Sequence, residues 1–215
     1  MRKLALLSVL FLAGLMPSAA NADLITAGDY VRFGDRPGSP GGEFLLSVYD
    51  TPGGPLVDQF VTFCVQMTEY MDFTHTFRVG NVSEATDDLP AGDPLDQRTA
   101  YLYTQFRNHT LAGYNYGPNN ATSANLLQNA IWYLENEAGA GNQSNNPFVR
   151  LAQTAVDTGQ WSGLGDVAVV NLFFLDGRRA QDQLTLRSVP EPSALLLLST
   201  GFLAFTAARR RTSNR

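Results

Sequence analysis

Apolar and polar positions change their period twice along the chain. Residues 30–33, 44–49 and 56–66 are rich in β-branched and aromatic side chains and are parted by Pro/Gly clusters at 36–42 and 51–55, the pattern of strands joined by turns. Phe73, His75, Phe77 and Val79 alternate with Thr74, Thr76 and Arg78, which predicts a half-buried strand with His75 on its core-facing side. The spacing then lengthens. Leu95, Thr99, Leu102 and Phe106 recur at helical intervals behind Asp93-Pro94, read as an N-cap with proline in the first helical position. A second helix opens at Thr122 or Ser123, turns Leu127, Ala130, Ile131 and Leu134 inward and stops before Gly139. A third follows Asn146-Pro147 and carries Phe148, Leu151, Ala152 and Ala155 to Gly159. Residues 167–175 and 183–189 read as two closing strands about an Asp176-Gly177 turn. Strands, helices and strands in that order predict an α+β fold, a β-sandwich or barrel-like set of strands flanking a central three-helix segment.

Two apolar runs stand outside this pattern. At the start, Arg2 and Lys3 precede the apolar residues 4–16, and Ala20-Asn21-Ala22 supplies a small-residue cleavage site, so residues 1–22 read as a signal peptide. The mature globular domain is then expected over residues 23–187. At the other end, Pro190-Glu191-Pro192 is followed by an apolar run over 193–208 and by Arg209, Arg210 and Arg211. Sixteen residues are short of the roughly 20 that a span usually needs, but the arginines obey the positive-inside rule, so a membrane helix with its C-terminal end in the cytoplasm is expected. These parts, in this order, resemble the PEP-CTERM sorting tail of Gram-negative bacteria, here residues 188–215. The resemblance implies that an exosortase recognises the tail and processes it near the triplet. The protein would be held transiently at the inner membrane, then delivered to the cell surface, outer envelope or extracellular matrix.

Charge narrows the partners. Residues 23–189 hold nine Arg, no Lys and nineteen Asp plus Glu, an acidic surface that repels phosphate backbones and argues against nucleic acid. One Cys excludes an internal disulfide framework, and with only His75 and His109 neither a metal centre nor a cofactor is expected. Pairing Cys64 with either His as a hydrolase finds no supporting signature, and the protein is not expected to be an enzyme. Cys64 itself lies in Phe63-Cys64-Val65-Gln66 at the end of an apolar strand. A lone cysteine there is either a small buried hydrophobe or, in an exported protein exposed to oxidants, a thiol that is hidden or bonded to something other than sulfur.

Three segments resemble the Cys-Gln thioester domains of bacterial surface adhesins. Phe63-Cys64-Val65-Gln66 matches that family's cysteine motif. Leu127-Gln128-Asn129-Ala130-Ile131-Trp132 matches its helix motif except that Leu127 replaces Thr, and Ala180-Gln181-Asp182-Gln183-Leu184-Thr185 is the nearest fit to the motif that supplies the bonded glutamine, with Thr185 a departure. The resemblance implies a thioester between Cys64 and Gln181, with Gln128 as the alternative partner or as a residue that orients the site. Phe63, Val65 and Trp132 would shield the bond, and an amine-bearing or Lys-rich surface or matrix partner would be captured. The competing expectation is a non-covalent structural component of the envelope or biofilm matrix that keeps the fold without the bond.

Overall fold

The computed structural model describes residues 22–35, 43–87 and 92–187. The signal peptide read over 1–22 lies outside them but for Ala22, as do the membrane helix and the sorting residues Pro190, Glu191, Pro192, Arg209, Arg210 and Arg211. Within the described residues no helix is long and apolar enough to cross a membrane.

The domain is α+β. Six antiparallel strands form one sheet: β1 (Tyr30–Asp35), β2 (Phe44–Tyr49), β3 (Leu56–Thr62), β4 (Phe77–Ser83), β7 (Val167–Phe174) and β8 (Arg179–Leu186), in the order β3-β2-β1-β4-β7-β8. A two-stranded ribbon pairs β5 (Ala85–Thr86) with β6 (Asp93–Pro94), and α1 (Gln97–Arg107), α2 (Ala121–Leu134) and α3 (Pro147–Asp157) follow it. The two edges of the large sheet meet. Just past β3, Leu184 N–H donates to the Phe63 carbonyl (3.1 Å), Val65 N–H donates to the Asp182 carbonyl (3.0 Å), and Cys64 bridges Gln183 in antiparallel register. The strands therefore form one antiparallel sheet, joined at this seam, with the three helices beside it.

Closure gives the sheet an inside and an outside, and side-chain alternation sorts residues between them. Val31, Phe33, Leu46, Val48, Phe77, Val79, Val170 and Leu172 pack together in one core, and Cys64 belongs to it. Phe63, Val65, Val167, Val169 and Leu184 face the other way and pack against Leu102, Phe106, Leu127, Ile131 and Phe148 of the helices. Asp23 ties the start of the domain to both layers. It accepts two bonds from the Arg107 guanidinium (2.8 and 2.7 Å) and others from Thr185 Oγ1 and Leu186 N–H.

Local chemistry moved three expected boundaries. The first helix begins at Gln97 with Asp96 as its N-cap, accepting from Arg98 N–H at 2.7 Å, because Asp93 and Pro94 are taken up in pairing with Thr86 and Ala85. The strand expected from Phe73 begins only at Phe77. Asp72 Oδ1 accepts from the N–H groups of Thr74 and His75, both at 2.8 Å, and this turn leaves Phe73 and His75 exposed rather than in the core. The last strand starts at Arg179, four residues early, since Gly177 takes a left-handed φ of 88° that completes the turn at once.

Candidate functional site

The helix motif around Gln128 acts on the backbone of the cysteine segment. One turn apart on α2, Gln128 and Trp132 lie on the same helix face. Cys64 N–H donates to Gln128 Oε1 (3.0 Å) and Gln128 Nε2 donates to the Cys64 carbonyl (2.8 Å). Trp132 Nε1 donates to the Gln66 carbonyl at 3.1 Å. A single fully buried carboxamide thus satisfies both polar groups of Cys64 where the strand has left its ladder.

Gln181 arrives from β8 at a bulge. Val170 pairs with Gln183 and Leu172 with Ala180, so Gln181 and Asp182 together oppose the single residue Asn171. The buried Asp182 carboxylate fixes the irregularity, accepting from Leu172 N–H (2.9 Å) and Asn171 Nδ2 (2.7 Å). Asp182 N–H in turn donates to Gln66 Oε1 (2.8 Å), and Gln181 N–H to the Tyr70 carbonyl (3.2 Å).

The Cys64 thiol donates to Gln181 Oε1 at 2.9 Å. The orientation of that carboxamide is set from its far side, where Nε2 donates to the Gln66 carbonyl at 2.7 Å. Its carbonyl carbon is one bond of about 1.2 Å beyond Oε1, hence within about 4 Å of the sulfur. Gln128, by contrast, is spent on the backbone of Cys64. The site is dry: Cys64 is 2 % exposed and Gln181 8 %. Burial pushes the thiol up to about 12, only partly opposed by a hydrogen bond from Gln183, so the sulfur keeps its proton.

Trp132 packs against the core that contains Cys64, as a shielding residue would. Phe63 and Val65 do not. Strand alternation turns them to the helix layer, Phe63 edge-on to Phe106 at 5.0 Å, so their contribution is to hold the cysteine strand down rather than to cover the sulfur.

Two glutamines that sequence reasoning left without a role complete the surroundings. Gln183 Nε2 donates to Cys64 Sγ (3.4 Å) and to the Gln181 carbonyl (3.2 Å), while its Oε1 is buried without a partner. Gln66 Nε2 is likewise buried and unpartnered. An unmade bond at a buried amide atom costs about 1–3 kcal/mol, and two of them in this group of glutamines mark a place where packing has not been optimised for stability alone. The signal available in the sequence was the density of carboxamides around Cys64 and in residues 181–183.

Elsewhere the titratable residues do other work. His75 Nδ1 meets Asp72 Oδ2 at 2.6 Å on the surface, and no contact joins it to Cys64. His109 stacks on Tyr116 at 4.7 Å. Among the described residues no group of three His, Cys, Asp or Glu is placed to hold a metal ion.

The domain is α+β with a buried thiol against a carboxamide, and the segment that follows it carries a sorting address. Residues 188–211 match the PEP-CTERM protein-sorting motif, which marks the chain as an exported, exosortase-sorted protein destined for the cell surface. No curated protein and no solved structure matches the chain.

Proposed function

We propose that the domain is a surface-displayed amine trap whose warhead is a thioester between Cys64 and Gln181. The observation that carries this reading is the 2.9 Å approach of the Cys64 thiol to Gln181 Oε1 in a dry site. In forming the bond, the thiol polarises the carbonyl through its hydrogen bond and the sulfur adds to the carboxamide carbon. The C–N bond then breaks, and ammonia leaves with the proton that the thiol brought. Reactants and products are neutral, which suits a site where an isolated charge would be costly. A neutral amine later attacks the same carbon, an amide forms, and the thiol is released. Gln181 ends in the product, so the domain acts once and is not an enzyme.

Composition favours the same reading. The chain's single lysine is Lys3, so the domain carries no side-chain amine that could quench its own thioester or a neighbour's, and its acidic surface draws Lys-rich partners.

Intact mass of the purified mature domain tests the proposal. Wild type is expected lighter than its sequence mass by one ammonia, and methylamine should then add one amine to Gln181. Cys64→Ala and Gln181→Ala are each expected at full mass and inert. A wild-type domain at full sequence mass that takes up no methylamine would leave the non-covalent matrix component as the better description.

For sorting, the tail is processed near Pro190-Glu191-Pro192. A C-terminal epitope fused after Arg215 is expected to be absent from the surface form in a strain with its exosortase and retained in a strain without it. An epitope that persists at the surface of the first strain would overturn this.

A further inference from the structure

We propose that Gln183 is the residue that works the thioester, donating through Nε2 to the sulfur as it leaves and accepting through Oε1 an N–H of the attacking nitrogen, which makes primary amines the substrate class. The inference rests on the thioester reading and adds to it a residue and a selectivity. Its basis is geometric. Cys64 and Gln183 are directly opposed across the seam that closes the sheet, so their side chains emerge on the same face. Gln183 Nε2 reaches both Cys64 Sγ (3.4 Å) and the main-chain carbonyl of Gln181 (3.2 Å), and the second contact fixes which end of the carboxamide is the donor, since a carbonyl can only accept. Oε1 of the same group is left buried and unpartnered. Gln183 is 0 % exposed, so bulk solvent does not reach that oxygen.

An incoming amine would supply what Oε1 lacks. During capture the nitrogen bonds to the Gln181 carbonyl carbon and the C–S bond breaks, its electron pair passing to sulfur. One proton of the nitrogen moves to that sulfur to regenerate the thiol. A primary amine has a second N–H, which Gln183 Oε1 holds while the first is transferred. A secondary amine has only the hydrogen that must go to sulfur, and leaves Oε1 empty throughout. The donor to the sulfur, Gln183 Nε2, belongs to a neutral carboxamide, so the leaving thiolate is stabilised by a dipole and not by a buried cation.

The test uses the whole mature domain with Gln183→Met, close in shape but with neither donor nor acceptor, and Gln183→Glu, which keeps acceptors and loses the donor once its carboxyl is ionised. Circular dichroism establishes which of them is folded, and either suffices. Three readouts are taken. Methylamine uptake by intact mass is expected to slow roughly tenfold to a hundredfold in both variants, the range for losing a hydrogen bond to a developing charge. The wild-type preference for methylamine over dimethylamine is expected to collapse in Gln183→Met, an effect that a merely structural role would not produce. In a Gln181→Ala background, where the thiol is free, Cys64 alkylation is expected to need higher pH once Gln183 is replaced. Unchanged alkylation and an unchanged amine preference would overturn the proposal. A wild-type domain without the ammonia deficit overturns the thioester itself, and the alkylation profile then still decides whether Gln183 donates to the sulfur.

Discussion

Replacing Gln128 by alanine is expected to lower the stability of the domain by about 3–5 kcal/mol and to abolish the loss of ammonia. The residue is fully buried on α2 and, among the described residues, supplies the only side-chain partners of the Cys64 N–H and carbonyl, at 3.0 and 2.8 Å. Truncation leaves two backbone groups unpaired in a dry interior and opens a cavity between helix and sheet, and these penalties add. Against a total stability of about 5–15 kcal/mol for a domain of this kind, the change is severe. The cysteine segment would also be free to rotate, which removes the thiol from Gln181. Urea denaturation gives the first quantity and intact mass the second. Gln128→Glu separates the two polar groups. It retains an acceptor for Cys64 N–H but sets a carboxylate against the Cys64 carbonyl, and it is expected to be destabilised as well. An alanine variant within about 1 kcal/mol of wild type would show that the clamp is dispensable.

The domain is also expected to gain stability as pH falls from 8 to 5, contrary to the usual behaviour of an acidic protein. Burial pushes the Asp182 carboxyl up to about 7 and Glu135 up to about 8, in each case against hydrogen bonds that favour the charged form. Asp87 faces Asp182 and raises it further, and Asp96 and Asp93 do the same to Glu135. In the unfolded chain these groups titrate near 4. Between about pH 4 and their folded values, the native state therefore binds more protons than the unfolded one. Their contribution is complete below about pH 4 and is lost as pH rises through about 7 and about 8. Asp72 is held low, against slight desolvation, by the N–H groups of Thr74 and His75, and Asp176 is held low by Arg178. Both act in the opposite sense, but only in stronger acid. Thermal midpoints should be higher at pH 5 than at pH 8, reflecting a stability difference on the order of a few kcal/mol. Asp182→Asn and Glu135→Gln should each reduce the slope and together flatten it. A wild-type midpoint that rises toward pH 8 would contradict the assignment.

What the sequence made legible was largely periodic. The three helices, the Asn146-Pro147 start and most strands follow from spacing, because each element buries one face and repeats at its own interval. Asp93 and Asp96 each precede a helical pattern, and only pairing with β5 decides between them. Alternation at 73–79 could not reveal that the Asp72 side chain takes the local N–H groups and cancels the strand. The site was legible in part. Cys64, Gln128 and Gln181 stand out by motif, and the structure brings all three together. Gln183 and Gln66 did not stand out, since their roles depend on closure of the sheet at residues 63–65, a long-range pairing that side-chain pattern does not encode. Nor does pattern encode the bulge at Gln181 and Asp182, where two residues share one partner.

The position of Gln181 near the end of β8 has a mechanical consequence. A partner joined to that side chain would be linked to whatever follows Arg187 by little more than the remaining stretch of a single strand. Tension between partner and anchor would run along those few residues and bypass the rest of the sheet, the helices and the Gln128 clamp. A ligand gripped by surface contacts would instead load the whole fold and pull its strands apart before letting go. On the thioester reading, a reactive carbonyl so late in the domain would leave the rest of the structure as a mould that sets the bond and afterwards carries none of the strain.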